Sequence, residues 1–571
     1  MKVRSGATAL VESLVAEGVD TLFGIPGVGT LAVYDAFVDQ PALRHIEVRH
    51  EQGAVFMADG YARSSGLVGV AFTSGGPGAL NTLTAMATAF NDSVPVLHVV
   101  NENPAAVRRK GLGHFHDISD QLGVFRPVTG FTQQVALADE IPGAIHQAMF
   151  ALRNRRPRPA MVEIAGEALT ADTGAAILAP ATRLPHAPEV GAVLLAAQML
   201  EASQRPVIWT GGGVATVEAA EELRLMTEML GAPVITTQKG KGGLRSDHPL
   251  HIGNWANELP VRQLLASADA MLAVGTRFSY FPTGGWSLRL PERLIQIDVD
   301  PAEIGRNYRA TVGMVGDAAI SLRALRNALE ADGFEPRRWQ TGAVDDCRRR
   351  IFQTIGRPVE IEVLDQIRVA LPADALVFND PTTIAFWARS WWAADRPRTW
   401  FVPSGFGTLG YALPAAIGAR VARPDRVAIA LMGDAGAMFT IQDLMTAVQE
   451  RIPVIVMVFN DRGYGVERRH QDHLYGRHSG VDILPPDFVA LARAFGAKGV
   501  LVEDLSQVGT VLQTQLDAAG PVLIEVPNQF RHPGYGSFGN WDTEASTRDP
   551  GLFSSSNDEN NPQTKRTGQE D

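Results

Sequence analysis

Two apolar runs of strand length, VAIALM at 427–432 and VIVMVF at 454–459, each end abruptly in a polar turn built around a carboxylate. The first runs into Gly433-Asp434-Ala435-Gly436, the second into Asn460-Asp461-Arg462-Gly463-Tyr464-Gly465. Six apolar residues in a row, without alternation, describe a strand covered on both faces, as in a parallel sheet with helices on either side. Open sheets of that kind bind ligands at the carboxyl ends of their strands. Two strands delivering oxygen ligands there, 27 positions apart, suit a hard cation such as Mg²⁺ whose shell is completed by diphosphate oxygens. Small residues beside Asp434 let phosphate reach the backbone and the next helix N-terminus. A lone Asp after a strand is more often a cap or turn residue; the paired arrangement carries the weight.

The same alternation of strand and helix runs along the whole chain and predicts an α/β protein of three consecutive doubly wound parallel-sheet domains. A length of 571 residues agrees, being too great for one core. Strands are expected at 21–24, 68–72, 94–100 and 160–164 in a first domain (1–165). A second domain (190–335) has them at 207–210, 233–236, 270–274 and 294–297. The third (360–530) has them at 376–378, 427–431, 454–459 and 522–525. The Ala-, Pro- and Thr-rich stretch 166–188 reads as a linker. The polar tail 553–571 has the composition of a disordered segment.

Composition closes off other classes. The net charge of −11 has both signs interspersed, leaving no basic stripe for nucleic acid. Apolar runs fall far short of the roughly 20 residues a membrane span needs. The N-terminus, MKVRSGATALVESL, reads as an amphipathic helix with Val11, Leu14 and Val15 on one face, not as a signal peptide. The single cysteine, Cys347, excludes an internal disulfide framework and a Cys-based metal cluster. A cytoplasmic protein is expected. Two arginine-rich clusters, Arg153–Arg158 and Arg348–Arg350, read as a surface turn and a solvated helix end.

Three further segments carry chemistry. Arg49-His50-Glu51-Gln52-Gly53-Ala54 leads into Met57-Ala58-Asp59-Gly60-Tyr61-Ala62-Arg63. Gly76-Pro77-Gly78 is followed by Asn81, and FGIPG spans 23–27. Ser404-Gly405-Phe406-Gly407-Thr408-Leu409-Gly410-Tyr411-Ala412-Leu413-Pro414 precedes the first carboxylate turn. Taken singly, Glu51 would be a helix-start carboxylate and the glycines a loop into a buried helix. In order and spacing, the four motifs resemble those of thiamine-diphosphate enzymes of the acetolactate synthase and pyruvate decarboxylase type, closest overall to the synthase large subunit.

That resemblance implies a pyrimidine-binding, a central and a diphosphate-binding domain. It implies that Asp434, Asp461 and the carbonyl of Gly463 hold Mg²⁺, and that Gly433, Ala435, Tyr464 and Gly465 lie along the diphosphate. Ala435 and Asp461 depart from the family's Gly and Asn; the second change keeps an oxygen ligand and adds a charge. Glu51 is implied to activate the aminopyrimidine, which a dry pocket would favour by raising its pKa. Pro26, Gly76, Pro77, Asn81, Thr382 and Gly407 would line the cofactor, and Leu409 would wedge between its two rings. PVIWTGGGV, DHPLHIG, AVGTRF and QIDVDPAEIGRN in the central domain also resemble acetolactate synthase. FAD occurs there in several relatives, but Gly253-Asn254-Trp255-Ala256-Asn257 and Ser279-Tyr280 replace the expected stretches, and these departures argue against it.

The substrate side departs from the synthases. His114, Phe115 and His116 stand where synthases have an apolar or small residue, then Phe and Gln. Glu467 matches a catalytic Glu of pyruvate decarboxylase, with an exposed helix-start charge as the competing reading. Val28, in contrast, replaces that enzyme's catalytic Asp. The expected reaction is non-oxidative decarboxylation of a 2-oxo acid, one derived from an amino acid being a plausible substrate. His114, His116 or Glu467 would handle the proton that follows CO₂ loss. One rival is a carboligase of acetolactate synthase type; another, of a different class, is a non-catalytic nucleotide-binding regulatory protein. Because Glu51 and Asp434 lie in different domains, the resemblance implies a shared site in a homodimer or dimer of dimers.

Overall fold

A computed structural model describes residues 3–338, 342–531 and 533; the tail expected at 553–571 lies outside the described residues. Three six-stranded sheets follow one another along the chain, and every pairing within them is parallel. In the first, the order across the sheet is Arg44–Glu47, Thr21–Gly24, Gly69–Thr73, Val96–Glu102, Ala160–Ala165, Phe131–Val135. In the third it is Trp400–Phe401, Leu376–Asn379, Ala428–Gly433, Ile455–Asn460, Val522–Pro527, Lys498–Leu501. Counted within each domain, both read 2-1-3-4-6-5. The central sheet reads 3-2-1-4-5-6, from His251–Gly253 to Val312–Val315. In each sheet the order reverses beside the first strand of its domain, and there a crevice opens beyond the strand ends.

The first and third domains pack on each other within one chain. Helix Glu51–Ser65 crosses helix Ala412–Ala422 at closest approach, with Gly60 against the backbone of Ala415 and Gly418 against the backbone of Met57. Any side chain at either glycine would force the helices apart. One apolar core joins the two domains across this crossing and includes Phe56, Met57, Tyr411 and Leu413.

Beside the core lies a buried polar cluster that ties all three domains. Asp59 accepts from the Tyr411 hydroxyl at 2.8 Å and from Arg63 at 2.6 Å; Arg63 reaches Asp92, and Asp92 pairs with Lys239 of the central domain at 2.5 Å. Each carboxylate has a cation beside it, which is what makes such burial tolerable.

Three sequence expectations are corrected. The stretch 166–188 is not all linker: helix Gly166–Thr170 buries Leu169, and strand Asp172–Thr173 pairs antiparallel with Arg4–Ser5. The first arginine cluster is more than a surface turn, because Arg153 ends a helix and binds Glu17 while Arg156 reaches Asp300 and Glu303 in the central domain. Nor is Arg348 a solvated helix end. It sits within helix Gly342–Ile355 and donates to the carbonyls of His248 and His251.

Candidate active site

The first-domain half of the site occupies the crevice between strands Thr21–Gly24 and Gly69–Thr73. Glu51 is the first residue of helix Glu51–Ser65, where the helix field favours a carboxylate. Preceding it, His50 adopts an extended backbone and its Nδ1 accepts from the Gln52 amide at 3.2 Å. Asn81 Nδ2 donates to Glu51 Oε2 at 2.9 Å, so the structure brings these two predicted residues together. Glu51 is half-buried and Asn81 exposed; the dry pocket expected around Glu51 is not supplied by its own domain.

Gly76 and Pro77 open the short helix that carries Asn81. Gly76 has φ +62°, and the space a side chain would need is taken by His116. The turn is held from behind by residues that sequence reading missed. Asn101 Oδ1 accepts from the Gly75 amide at 2.9 Å, and Gln121 Oε1 from the Gly76 amide at 2.7 Å. Gln121 is in turn fixed by the buried Glu163, whose carboxyl burial pushes up. No sequence signal marks either residue, since each acts through a contact 20 or more positions away.

The histidine loop thus lies against the cofactor turn. His116 (φ +60°) stacks on Phe115 with ring centroids 3.7 Å apart. His114 is exposed and bonds the Phe115 carbonyl at 3.1 Å. Glu467 is exposed on helix Gly465–Tyr475. Among the described residues no hydrogen bond or ion pair joins it to either histidine.

The third-domain half lies at the carboxyl ends of the third and fourth strands of its sheet. Strand Ala428–Gly433 delivers Asp434, which is fully buried, and strand Ile455–Asn460 delivers Asp461. The two carboxyls touch; burial and the charge of Asp434 push Asp461 up to about 7, and burial raises Asp434 as well. Asp434 Oδ2 accepts from the Gly463 amide at 3.0 Å, whereas its Oδ1 is buried with no partner. Two crowded carboxyls and an orphaned oxygen at a strand terminus fit a divalent cation, which would neutralise the pair. Thr382, at the start of helix Thr383–Trp391, backs onto Gly433, and Gly465 leaves no room for a side chain beside Asp461. A diphosphate would therefore meet bare backbone on both turns. Leu409 lies on the turn that precedes helix Ala412–Ala422 and leans toward Gly436; Gly407 has φ +70° and, like Pro26 and Pro77, is exposed.

At the reversal of the central sheet lies a cleft of about 880 Å³, bordered by all three domains. Its glycines serve the fold, since Gly211 and Gly213 press directly on the backbone of Gly275. Two of its cations are also engaged: Lys239 with Asp92, and Arg277 with the Asn91 carbonyl at 2.9 Å.

Family comparisons agree with this division of the chain. Residues 4–124 match the N-terminal TPP binding domain of thiamine pyrophosphate enzymes, residues 193–325 their central domain, and residues 380–526 their C-terminal TPP binding domain. The chain belongs to the thiamine pyrophosphate enzyme family. Its relatives place it among the decarboxylases and acetolactate synthases. A probable 2-ketoarginine decarboxylase of Pseudomonas aeruginosa is 38% identical over 92% of this chain and 94% of its own. The acetolactate synthase large subunit of Parasynechococcus marenigrum is 34% identical over 91% and 87%. The large subunit of isozyme 3 from Escherichia coli is 32% identical over 90% and 93%.

Proposed function

We propose that the chain catalyses the Mg²⁺-dependent, non-oxidative decarboxylation of a 2-oxo acid derived from an amino acid, in an active site completed by a second copy of itself. The observation that carries this reading is the presence of two half-sites at the carboxyl ends of two sheets with the same strand order, one holding Glu51 and Asn81, the other Asp434 and Asp461. Thiamine diphosphate, when bound, supplies the carbon nucleophile and the electron sink for CO₂ loss. The protein's own groups do the rest. Asn81 orients Glu51 and leaves Oε1 to share a proton with the pyrimidine. Asp434 and Asp461, with the Gly463 carbonyl, hold the cation, while Thr382, Gly433, Ala435, Tyr464 and Gly465 shape the diphosphate seat. His116, pressed on Gly76, sits where it can return a proton, with His114 and Glu467 as further candidates.

A second copy is supported by the apolar side chains exposed beside both half-sites. Val28, Leu31 and Leu80 flank the first, and Phe406, Met438 and Phe439 flank the second, each 40% exposed or more. Such a surface calls for a partner, and a two-fold dimer would cover it twice. The central cleft takes no flavin in this reading, because Gly211 and Gly213 press on the backbone of Gly275 and the Lys239 and Arg277 cations are engaged within the protein. No helix among the described residues is long and apolar enough to cross a membrane.

The choice of decarboxylation over carboligation rests on His114 and His116 and on the name of the 38% identical relative. A panel of 2-oxo acids, beginning with 2-ketoarginine and pyruvate, tests it. The expected result is CO₂ with an equimolar aldehyde. Acetolactate as the main product from pyruvate would replace this reading by the synthase one, and failure to bind the cofactor would favour a non-catalytic protein.

A further inference from the structure

The turn that carries Leu409 is anchored by a carboxylate from another strand. Asp380 follows strand Leu376–Asn379 and is fully buried. Its Oδ2 accepts from the Gly410 amide and its Oδ1 from the Ala412 amide, both at 2.7 Å. It also lies beside Gly436, just past Asp434. No cation figures among the groups that act on it. An unpaired buried carboxylate is costly unless amides satisfy it, and here both oxygens are used on one short segment. Between the two amides Gly410 has φ +76°, its carbonyl accepts from Thr440 Oγ1 at 2.8 Å, and its Cα faces Phe439.

We propose that Asp380 is a positioning residue, which fixes the 404–411 turn through the amides of Gly410 and Ala412 and thereby sets where Leu409 meets the cofactor. The proposal rests on the reading that Leu409 contacts the cofactor. Asn at 380 fills the same volume but must turn an NH₂ group toward one of the two amides, so one end of the turn comes loose. Substrate binding would be little affected, whereas the bend imposed on the cofactor would relax.

The test compares Asp380→Asn, Leu409→Ala and wild type, each loaded with thiamine diphosphate and Mg²⁺. The readouts are the cofactor's dissociation constant, its near-ultraviolet circular dichroism and C2–H exchange, and kcat and KM. For Asp380→Asn the expected result is a loss of about 10–100-fold in exchange and kcat, the size of a charge-assisted hydrogen bond. KM should stay within about threefold and the thermal transition should remain cooperative. Leu409→Ala should show the same dichroism change. If Leu409→Ala behaves as wild type, the reading of Leu409 fails. If Leu409→Ala is impaired and Asp380→Asn is not, the proposal for Asp380 is overturned. Should Asp380→Asn not fold, Gly410→Ala disturbs the turn from its Phe439 side and is expected to give the same kcat loss; wild-type exchange in that variant overturns the proposal equally.

Discussion

Asn81 Nδ2 donates to Glu51 Oε2 at 2.9 Å, so the last residue of one short helix holds the carboxylate at the start of another. Since Asn81 is exposed, replacing it disturbs no core. Asn81→Ala should lower turnover about 10–100-fold, as expected for a hydrogen bond to a charged group, and leave the thermal transition in place. Asn81→Asp should be worse, because two carboxylates would then face each other. Steady-state kinetics decide; wild-type turnover in Asn81→Ala would remove the orienting role.

For the cation, the touching carboxyls of Asp434 and Asp461 lead to unequal expectations. Asp434→Ala removes the buried ligand and should abolish Mg²⁺-dependent retention of thiamine diphosphate during gel filtration. Asp461→Asn keeps an oxygen and relieves the mutual repulsion, so retention should survive. Equal damage from the two changes would contradict the ligand assignment.

The shared site can be tested by complementation. Glu51→Gln and Asp434→Ala are each expected to be inactive alone. Random co-assembly puts half the chains into mixed dimers with one intact site of two, so about a quarter of wild-type activity should return. Its complete absence in verified mixed dimers would place the whole site within one chain.

Twelve of the eighteen strands in the three large sheets were legible in the sequence, and they are the inner four of each sheet. The six that were not, among them Arg44–Glu47, Phe131–Val135 and Lys498–Leu501, are the edges. An inner strand such as Ile455–Asn460 is covered on both faces and reads as a continuous apolar run. An edge strand such as Phe131–Val135 (FTQQV) is half-exposed and takes its pairing from its neighbour, so its polar residues hide it. The same logic governs the site. Glu51, Asp434 and Asp461 sit in local motifs that a reader of sequence can find. Gln121 and Asp380 act by bonding amides 45 and 30 positions away, and nothing local records that. The shared strand order of the first and third domains is equally invisible, because parallel sheets repeat a topology without repeating residues.

Buried carboxyls also give a pH dependence. Asp443 accepts from the Arg49 amide at 3.1 Å where the first and third domains meet, and burial pushes it up to about 7. Unfolded, an Asp titrates near 4. The folded chain therefore holds this proton more tightly; the resulting stabilisation is complete below about pH 4 and is lost as pH rises through about 7. Its size is on the order of a few kcal/mol at most. Thermal unfolding of the cofactor-free protein should thus weaken between pH 5 and 8, and less so in Asp443→Asn. An unchanged slope in that variant would contradict the assignment.

Glu51 as the group that activates the cofactor is the claim on which the catalytic account depends, and it can be measured without knowing the substrate. Exchange of the C2 proton of bound thiamine diphosphate with deuterium, followed by quenched-flow and proton NMR, reports the activation step alone. Wild type should exchange rapidly, and Glu51→Gln should be slower by about 10²–10⁴-fold while binding the cofactor with similar affinity. Exchange at the wild-type rate in Glu51→Gln would contradict the account.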